Sequence, residues 1–114
     1  MVRAKTVRVG KGTYVGAGSI LSPQSQLGNY VIVNHCCSIG HDSQLADFVQ
    51  ISPGGRISGG CVLETGATLG SNAALAPKVK VGAHATVGAC SFAIQEVPAG
   101  ATVLGNPARV IMRK

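Results

Sequence analysis

The sequence predicts an all-β fold: a parallel β-helix of four to five triangular coils with a short C-terminal extension. The first observation is an unbroken six-residue period of aliphatic residues, and the second is a small or β-branched residue two positions before each of them. The third is the scarcity of large side chains. With no tryptophan, two tyrosines and two phenylalanines, the chain lacks the aromatic volume of an ordinary layered core.

The aliphatic column continues through fourteen successive positions without an insertion. Its members are Val9, Val15, Leu21, Leu27, Val33, Ile39, Leu45, Ile51, Ile57, Leu63, Leu69, Leu75, Val81 and Val87. Because residues i and i−2 of a strand share one face, each hexad is a short strand with two inward side chains. Residues that tolerate positive φ follow the strands at Gly12, Gly18, Gly54, Gly60, Gly66 and Asn72. Three hexads then make one coil, which buries its inner face only by stacking on another coil.

The repeat is expected to end near residue 90. The next position of the column is Ala93, where we expect the register to fail. We therefore divide the chain into a repeat body, residues 1–90, and a tail, residues 91–114. In the tail, Val97–Gly100 has the composition of a turn, and one strand or a short basic helix is expected after it.

Charge and hydropathy exclude several classes of function. The net charge of +6 favours an anionic ligand, but the positive residues are scattered and almost without interleaved aromatics, which argues against single-stranded nucleic acid. A small phosphate-bearing molecule fits the charge better. No apolar run approaches the ~18–20 residues of a membrane span, and the first residues lack the apolar segment of a signal peptide. We therefore expect a cytoplasmic protein that binds neither nucleic acid nor membranes.

The four cysteines, Cys36, Cys37, Cys61 and Cys90, form no CxxC pair of the metal-binding type. Cys36 and Cys90 share a phase of the coil but lie three coils apart. At ~4.8 Å per coil that is ~14 Å, which no disulfide can bridge. We therefore expect free thiols, buried or half-buried in the repeat.

The stretch from Val33 to Gly55 differs from the rest of the chain, because it holds two of three histidines, two of four acids and two of four cysteines. His35 and His41 both fall two positions after an inward aliphatic residue, which puts them at corners outside the core. His35, His41 and His84 occupy three different phases of the coil, so no metal site within one chain is expected. A site that gathers histidines between subunits, as in the γ-class carbonic anhydrases of this fold, is the alternative.

His41 is the candidate catalytic residue. A neutral imidazole can take a proton from an amine or hydroxyl that attacks an acyl carbonyl, and the adjacent Asp42 can orient the ring. Gly59 follows eighteen residues later, directly above His41 in the stack. Without a side chain, its backbone N–H can approach a developing oxyanion.

Two stretches carry a family resemblance: "VNHCCSIGHDSQLADFVQISPGGRISGG" and "VLGNPARVI". They resemble the hexapeptide-repeat acyltransferases, and in particular the C-terminal domain of the sialic acid O-acetyltransferase and nucleotide-sugar N-acetyltransferase family (NeuD/PglD-like). The resemblance covers most of the chain and implies a left-handed β-helix, whereas ordinary crossover connections are right-handed. The "GNPAR" segment is shared widely among such enzymes, and the run from Asn34 to Gly54 is more specific.

The resemblance also implies roles for individual residues. His41 is then the general base with Asp42 as its acidic neighbour, and Asn34 contacts the acceptor sugar. Gly59 faces the acetyl group of acetyl-CoA, and Gln50 stands where the family often has a histidine that contacts this cofactor. The tail completes the cofactor site along the pantetheine arm and a CoA phosphate, through Gly105, Asn106, Pro107, Ala108 and Arg109.

The resemblance implies a homotrimer with acetyl-CoA bound between neighbouring chains, no metal, and a small sugar-type acceptor acetylated on an amine or hydroxyl. Family members usually carry an N-terminal α/β domain that binds the nucleotide of the substrate, whereas this sequence begins at the repeat. Two other functions stay open: a non-catalytic β-helical scaffold or binding module without the substrate domain, and a zinc lyase of the γ-carbonic anhydrase type.

Overall fold

The computed structural model describes residues 1–113, which form eighteen β-strands and no α-helix, and hence no helix long and apolar enough to cross a membrane. In chain order the strands are β1 (Val2–Arg3), β2 (Arg8–Val9), β3 (Tyr14–Val15), β4 (Ile20–Leu21), β5 (Gln26–Leu27), β6 (Ile32–Val33), β7 (Ser38–Ile39), β8 (Gln44–Leu45), β9 (Gln50–Ile51), β10 (Arg56–Ile57), β11 (Val62–Leu63), β12 (Thr68–Leu69), β13 (Ala74–Leu75), β14 (Lys80–Val81), β15 (Thr86–Val87), β16 (Phe92–Ala93), β17 (Thr102–Gly105) and β18 (Ala108–Met112). The first sixteen recur every six residues, as the sequence period predicts.

Three sheets form the faces of a triangular prism measuring 37 × 22 × 21 Å. Face 1 contains β1, β4, β7, β10, β13 and β16; face 2 contains β2, β5, β8, β11 and β14; face 3 contains β3, β6, β9, β12, β15, β17 and β18. All pairs among β1 to β16 are parallel and join residues one coil apart, as Ile39 with Ile57 and Leu45 with Leu63. The predicted parallel β-helix is confirmed.

The core is the stacked aliphatic column together with the small residues two positions before it. Ile39, Ile51 and Leu69 are fully buried. The buried serines Ser19 and Ser43 donate to backbone carbonyls of the next coil, as when the Ser43 hydroxyl donates to the Ser58 carbonyl over 3.0 Å. Ser25 and Ser91 donate to carbonyls of their own turns. No buried side-chain nitrogen or oxygen within residues 1–113 lacks a hydrogen-bond partner. The core of this narrow prism therefore contains no aromatic residue and leaves no buried side-chain polar atom unpaired within the described residues.

Between residues 10 and 91, each corner of the prism is a four-residue turn whose third residue has positive φ, whereas Thr6 in the first turn does not. The glycines and Asn72 that the sequence predicts for this position all adopt it, with Gly60 at 73° and Asn72 at 57°. Other residue types adopt it as well, including Asp42 at 60°. Corner 1/2, between faces 1 and 2, comprises residues 22–25, 40–43, 58–61 and 76–79; corner 2/3 comprises 10–13, 28–31, 46–49, 64–67 and 82–85; corner 3/1 comprises 16–19, 34–37, 52–55, 70–73 and 88–91.

The repeat is longer than the sequence predicts. It begins at β1 and continues through β16, which gives five complete coils and the start of a sixth rather than four to five. The register does not fail at Ala93, which pairs with Leu75 and is 2% exposed. The prediction was wrong because the backbone ladder, here Ala76 N–H to the Ala93 carbonyl at 2.9 Å, continues whatever the size of the inward side chain.

The tail continues the prism and contains no helix within the described residues. Val97–Gly100 ends in the predicted turn, with the Ala101 N–H donating to the Pro98 carbonyl over 3.1 Å. Strand β17 then adds to face 3, and β18 folds back antiparallel on it. The expected basic helix is a strand because the open edge of face 3 offers unpaired backbone groups to it. The chain reverses at Gly105, whose φ of 110° favours glycine, and the Asn106–Pro107 peptide is cis.

Candidate active site at corner 1/2

Corner 1/2 presents His41 and Asp42 to solvent on a fixed backbone. The Asp42 N–H donates to the Pro23 carbonyl below over 3.1 Å, and the His41 carbonyl accepts from the Gly60 N–H above over 2.8 Å. Their side chains are 69% and 59% exposed. The stack therefore holds the main chain of both residues between two coils and leaves the side chains accessible to a ligand.

The two side chains form a pair in which Nδ1 of His41 lies 3.0 Å from Oδ2 of Asp42. A carboxylate at this distance favours the tautomer that carries its proton on Nδ1. Nε2 then keeps its lone pair and can accept a proton. The arrangement therefore has the geometry of an oriented general base.

Gly59 lies directly above the imidazole, as the repeat phase predicts. A Cβ built on Gly59 would lie 2.5 Å from Nε2 and 2.7 Å from Cε1 of His41, closer than real Cβ contacts allow. The Gly59 carbonyl accepts from the Lys78 N–H, while its own N–H has no acceptor within residues 1–113. The structure thus brings together a base, an orienting carboxylate and an available backbone donor.

The other predicted site residues lie elsewhere in the chain. Asn34 opens the turn at corner 3/1, separated from His41 by the width of face 1, and its N–H donates to the Ile51 carbonyl over 2.9 Å. Gln50 points outward from face 3, one coil above Ile32. Within one chain, Asn34 and Gln50 therefore adjoin each other at one edge of face 3 but do not reach His41.

Three of the five predicted tail residues line a cavity of about 310 Å³ at the C-terminal end of the prism, and the other two, Gly105 and Asn106, lie outside its lining. Pro107, Ala108 and Arg109 form one side, and the segment 94–97 forms the other. Sequence reasoning missed this segment because it placed a register break at Ala93. The repeat phase was the signal that could have found it, since Gln95 follows His41, Gly59 and Pro77 at the same position of successive coils.

A polar depression of about 360 Å³, which no sequence motif indicated, adjoins the His41–Asp42 pair on face 2. Its walls are the outward side chains of β2, β5 and β8 and the corner residues next to them, namely Thr6, Arg8, Gln24, Gln26, Asp42 and Gln44. Asp42 therefore borders both the imidazole and a surface rich in amide groups and a guanidinium.

The remaining histidines lie far from this corner, His35 at corner 3/1 and His84 at corner 2/3, both exposed. Residues 1–113 contain no group of three histidine, cysteine, aspartate or glutamate side chains that could hold a metal ion.

All four cysteines are free. Cys37 and Cys61 are buried as expected, and burial raises the pKa of both thiols. Cys36 and Cys90 are exposed rather than half-buried, because the third turn position directs its side chain away from the core.

Comparisons with known proteins agree with this description. The chain is 35% identical over 112 residues to the GDP-perosamine N-acetyltransferase of Escherichia coli O157:H7, covering 89% of this chain and 51% of that protein. The acetyltransferase domain of PglB from Neisseria gonorrhoeae, in complex with acetyl coenzyme A, superposes with a TM-score of 0.95 at 33% identity, covering 96% of this chain and 54% of that one. A variant of perosamine N-acetyltransferase from Caulobacter crescentus, in complex with CoA and GDP-perosamine, gives 0.96 at 29% identity, covering 97% and 53%.

The resemblance to the hexapeptide-repeat acyltransferases is therefore confirmed in sequence and in fold, and the β-helix is left-handed. No protein-family model matches the chain. The chain spans about half the length of the relatives it matches. Its likeness to these relatives therefore extends over a β-helix and not over the whole of each protein.

Proposed function

We propose that the chain is an acetyl-CoA-dependent acetyltransferase that acts in the cytoplasm on an amine or hydroxyl of a sugar or nucleotide sugar. The observation that carries the proposal is the stack of His41 beneath Gly59 with Asp42 at 3.0 Å from the imidazole. Acyl transfer requires a base, for which the His41 imidazole offers its free ring nitrogen. It also requires a hydrogen-bond donor for the oxyanion, for which Gly59 offers its backbone N–H.

In the proposed reaction, the acceptor amine or hydroxyl attacks the thioester carbonyl while Nε2 of His41 takes its proton. Asp42 stabilises the resulting imidazolium through Nδ1. The Gly59 N–H donates to the oxyanion of the tetrahedral intermediate. When the intermediate collapses, the C–S bond breaks, His41 returns the proton to the CoA sulfur, and the acetyl group stays on the acceptor.

The cofactor would run along corner 1/2 from Gly59 towards the cavity at the tail. Pro77 and Gln95 continue the line in successive coils, so the distance from His41 to Gln95 is ~14 Å at ~4.8 Å per coil. An extended pantetheine arm has a comparable length. Arg109, which lines the cavity, would meet a CoA phosphate, in agreement with the net charge of +6.

Asn34 and Gln50 would act in the active site of a neighbouring copy. They lie on face 3 and corner 3/1, apart from the His41 corner of their own chain. A homotrimer would give each His41 corner a face 3 from the next copy, and acetyl-CoA would lie between the two. Asn34 would then contact the acceptor and Gln50 the cofactor.

A nucleotide sugar is supported as the acceptor class by the relatives, one of which is named a GDP-perosamine N-acetyltransferase. A solved relative holds CoA together with GDP-perosamine. The polar depression beside Asp42 offers amide and guanidinium groups to the hydroxyls of a sugar. An amino sugar linked to a nucleotide is therefore the first acceptor to test.

The test combines a calorimetric titration with acetyl-CoA and a transfer assay on amino sugars and nucleotide sugars. The native chain should bind acetyl-CoA at about one site per chain and release CoA only with an acceptor present. His41→Ala should keep cofactor binding and lose transfer. A folded chain that binds no acetyl-CoA at millimolar concentration contradicts the proposal and favours the scaffold function.

Mixing two inactive variants tests the shared site separately. In a trimer of His41→Ala and Asn34→Ala chains, some sites pair an intact His41 corner with an intact Asn34 face. Transfer activity should therefore reappear on mixing and refolding the two variants. If the mixture stays as inactive as its components, Asn34 does not act across a subunit boundary.

A further inference from the structure

The foot of corner 1/2, two coils below His41, concentrates positive charge that the proposed reaction does not use. Three of the ten lysines and arginines of the chain lie within its first eight residues, namely Arg3, Lys5 and Arg8. Lys5 has the same turn position in the first coil that His41 has in the third, and Arg8 is the outward residue of β2 on face 2. Both side chains are exposed. Two cations that project from one edge of the prism can attract an anion.

Neither Lys5 nor Arg8 has a carboxylate partner in residues 1–113, where the two ion pairs lie elsewhere. Arg3 differs from them, because its guanidinium donates to the Val7 carbonyl over 3.1 Å and is thereby held against the backbone of its own turn. Two cations without an intramolecular partner therefore remain at the edge that leads to His41.

A polar surface joins Arg8 to the His41–Asp42 pair. Arg8 and Asp42 line the same depression of about 360 Å³, and the amide side chains of Gln26 and Gln44 lie between them. The levels of Arg8 and Asp42 differ by two coils, ~9.6 Å at ~4.8 Å per coil. A sugar ring and its phosphate, extended by the reach of an arginine side chain, span a comparable distance. The amides match the hydroxyls of a sugar, and a guanidinium matches a phosphate.

The proposed reaction leaves this lower part of the edge free for the acceptor. Acetyl-CoA would occupy corner 1/2 above His41, from Gly59 to the cavity at the tail. The acceptor must reach the same imidazole nitrogen without overlapping the cofactor, so it has to approach across the depression on face 2. Arg8 borders that depression and also a second one of about 430 Å³ on the same face, and it therefore lies on this approach.

We propose that Lys5 and Arg8 form an anion subsite, which holds a phosphate of the acceptor while its sugar lies along the depression with the reacting group at His41. The inference rests on the proposed function and narrows the acceptor to a sugar that carries a phosphate ester, either a sugar phosphate or a nucleoside diphosphate sugar. Arginine binds phosphate oxygens through two parallel N–H bonds, whereas lysine supplies a point charge. Arg8 is therefore the main specificity-determining residue, and Lys5 adds to the affinity.

The test compares three acceptors built on one amino hexose: the free sugar, its 1-phosphate and its nucleoside diphosphate derivative. Steady-state transfer from acetyl-CoA gives KM and kcat for each. The native chain should use the phosphorylated acceptors with a KM at least about tenfold below that of the free sugar. Arg8→Gln should raise that KM about 10- to 100-fold, as expected for loss of charge-assisted hydrogen bonds, and leave kcat and the KM for acetyl-CoA unchanged.

Three further variants make the comparison specific. Arg8→Lys keeps the charge without the two parallel donors and should lose less than Arg8→Gln. Lys5→Gln should raise the same KM by a smaller factor than Arg8→Gln. Arg56→Gln removes an exposed arginine from face 1 and should leave the KM of all three acceptors unchanged. Circular dichroism of each variant confirms that the β-helix is folded.

Three results would overturn the inference. They are an equal KM for free and phosphorylated sugar, an equal effect of Arg8→Gln and Arg56→Gln, and a preference for phosphorylated acceptors that Arg8→Gln leaves intact. The two phosphorylated acceptors identify the group that is bound. An equal loss with both assigns the subsite to the phosphate next to the sugar, and a loss with the nucleoside diphosphate sugar alone assigns it to the second phosphate.

Calorimetric titration with the 1-phosphate in the absence of acetyl-CoA keeps the two proposals distinguishable. Binding that Arg8→Gln weakens, in a chain that transfers no acetyl group, supports the subsite and contradicts the transferase. Transfer to free and phosphorylated sugar alike, without such binding, supports the transferase and contradicts the subsite. A folded chain that shows neither binding nor transfer contradicts both.

Discussion

The imidazole of His41 occupies the space into which a side chain at Gly59 would project: a Cβ there would lie 2.5 Å from Nε2. His41 and Gly59 thus belong to two adjacent coils and occupy the same position in each. The contact depends on Gly59 having no side chain and on the register between Ile39 and Ile57.

Gly59→Ala should therefore impair transfer while the β-helix stays folded. The added methyl displaces an exposed imidazole, which can rotate away. We expect kcat/KM to fall by about 100-fold, a loss typical of displaced catalytic groups. Steady-state kinetics of acetyl transfer check this, with Ser58→Ala as the control because it adds no atom near His41. Unchanged kinetics in Gly59→Ala would show that the His41–Gly59 contact is not used in catalysis.

Asp42→Asn tests the orienting carboxylate. Asparagine tolerates the φ of 60° at this position, so the corner should keep its conformation. Its amide no longer fixes the proton on Nδ1 or stabilises the imidazolium, and kcat should fall by about 10- to 1,000-fold. Cys90→Asn, at the same turn position of corner 3/1 with φ of 58°, is the matched control. Equal losses in both variants would point to the turn rather than to the carboxylate.

Core substitutions should lower the free energy of unfolding more in the middle of the prism than near its N-terminal end. Ile51 is fully buried between coils, whereas Val9 is only half-buried near the N-terminal end. We expect Ile51→Ala to lower the free energy of unfolding by about 2–5 kcal/mol, and Val9→Ala by about 1 kcal/mol or less. Urea denaturation at one fixed chain concentration measures both. The opposite order would mean that the N-terminal coils carry the stability.

The buried thiols give a dependence of stability on pH. Burial raises the pKa of Cys37 and Cys61 above the ordinary 9.0, so the unfolded chain loses these protons first. Their contribution should be constant below about pH 9, the unfolded value, and be lost as the pH rises towards the folded value. Urea midpoints between pH 7 and 11 should fall less steeply for Cys37→Ala/Cys61→Ala than for the native chain. The same slope in both proteins would contradict this assignment.

A thiol count at pH 8 gives an independent check of the cysteine positions. Cys36 and Cys90 are exposed and should react with a thiol reagent within minutes. Cys37 and Cys61 should react only after unfolding, because the thiolate is both buried and disfavoured. Four fast thiols in the folded chain would contradict the buried register of these two residues.

The fold was predictable because the same strand and turn repeat in every hexad, and the inward aliphatic residue marks each repeat in the sequence. The period fixes which residues stack, and it therefore also predicted that Gly59 lies above His41. The extent of the repeat was underestimated at Ala93, where side-chain size was taken as a sign of register although the hydrogen-bond ladder maintains it. The tail was harder, since its second strand depends on an open sheet edge that no local pattern reveals.

The separation of Asn34 from His41 within one chain was not predicted from the motifs. Asn34 is seven residues from His41 in sequence, yet a whole face of the prism separates them. Closeness in sequence does not imply closeness in space in a β-helix. Residues one full coil apart are neighbours, whereas residues one hexad apart lie on different faces of the prism.

Each coil adds the same rise along the axis of the prism, so the length of any edge is proportional to its number of coils. Residues 59 and 95 lie on one line along corner 1/2, and the distance between them can change only by the height of whole coils. An insertion of one complete coil would lengthen the line by ~4.8 Å and keep both ends aligned. An insertion of a single hexad would rotate the upper end onto another side of the prism. For an extended ligand bound along this edge, as proposed above, the distance between its two ends is thus set by the number of coils.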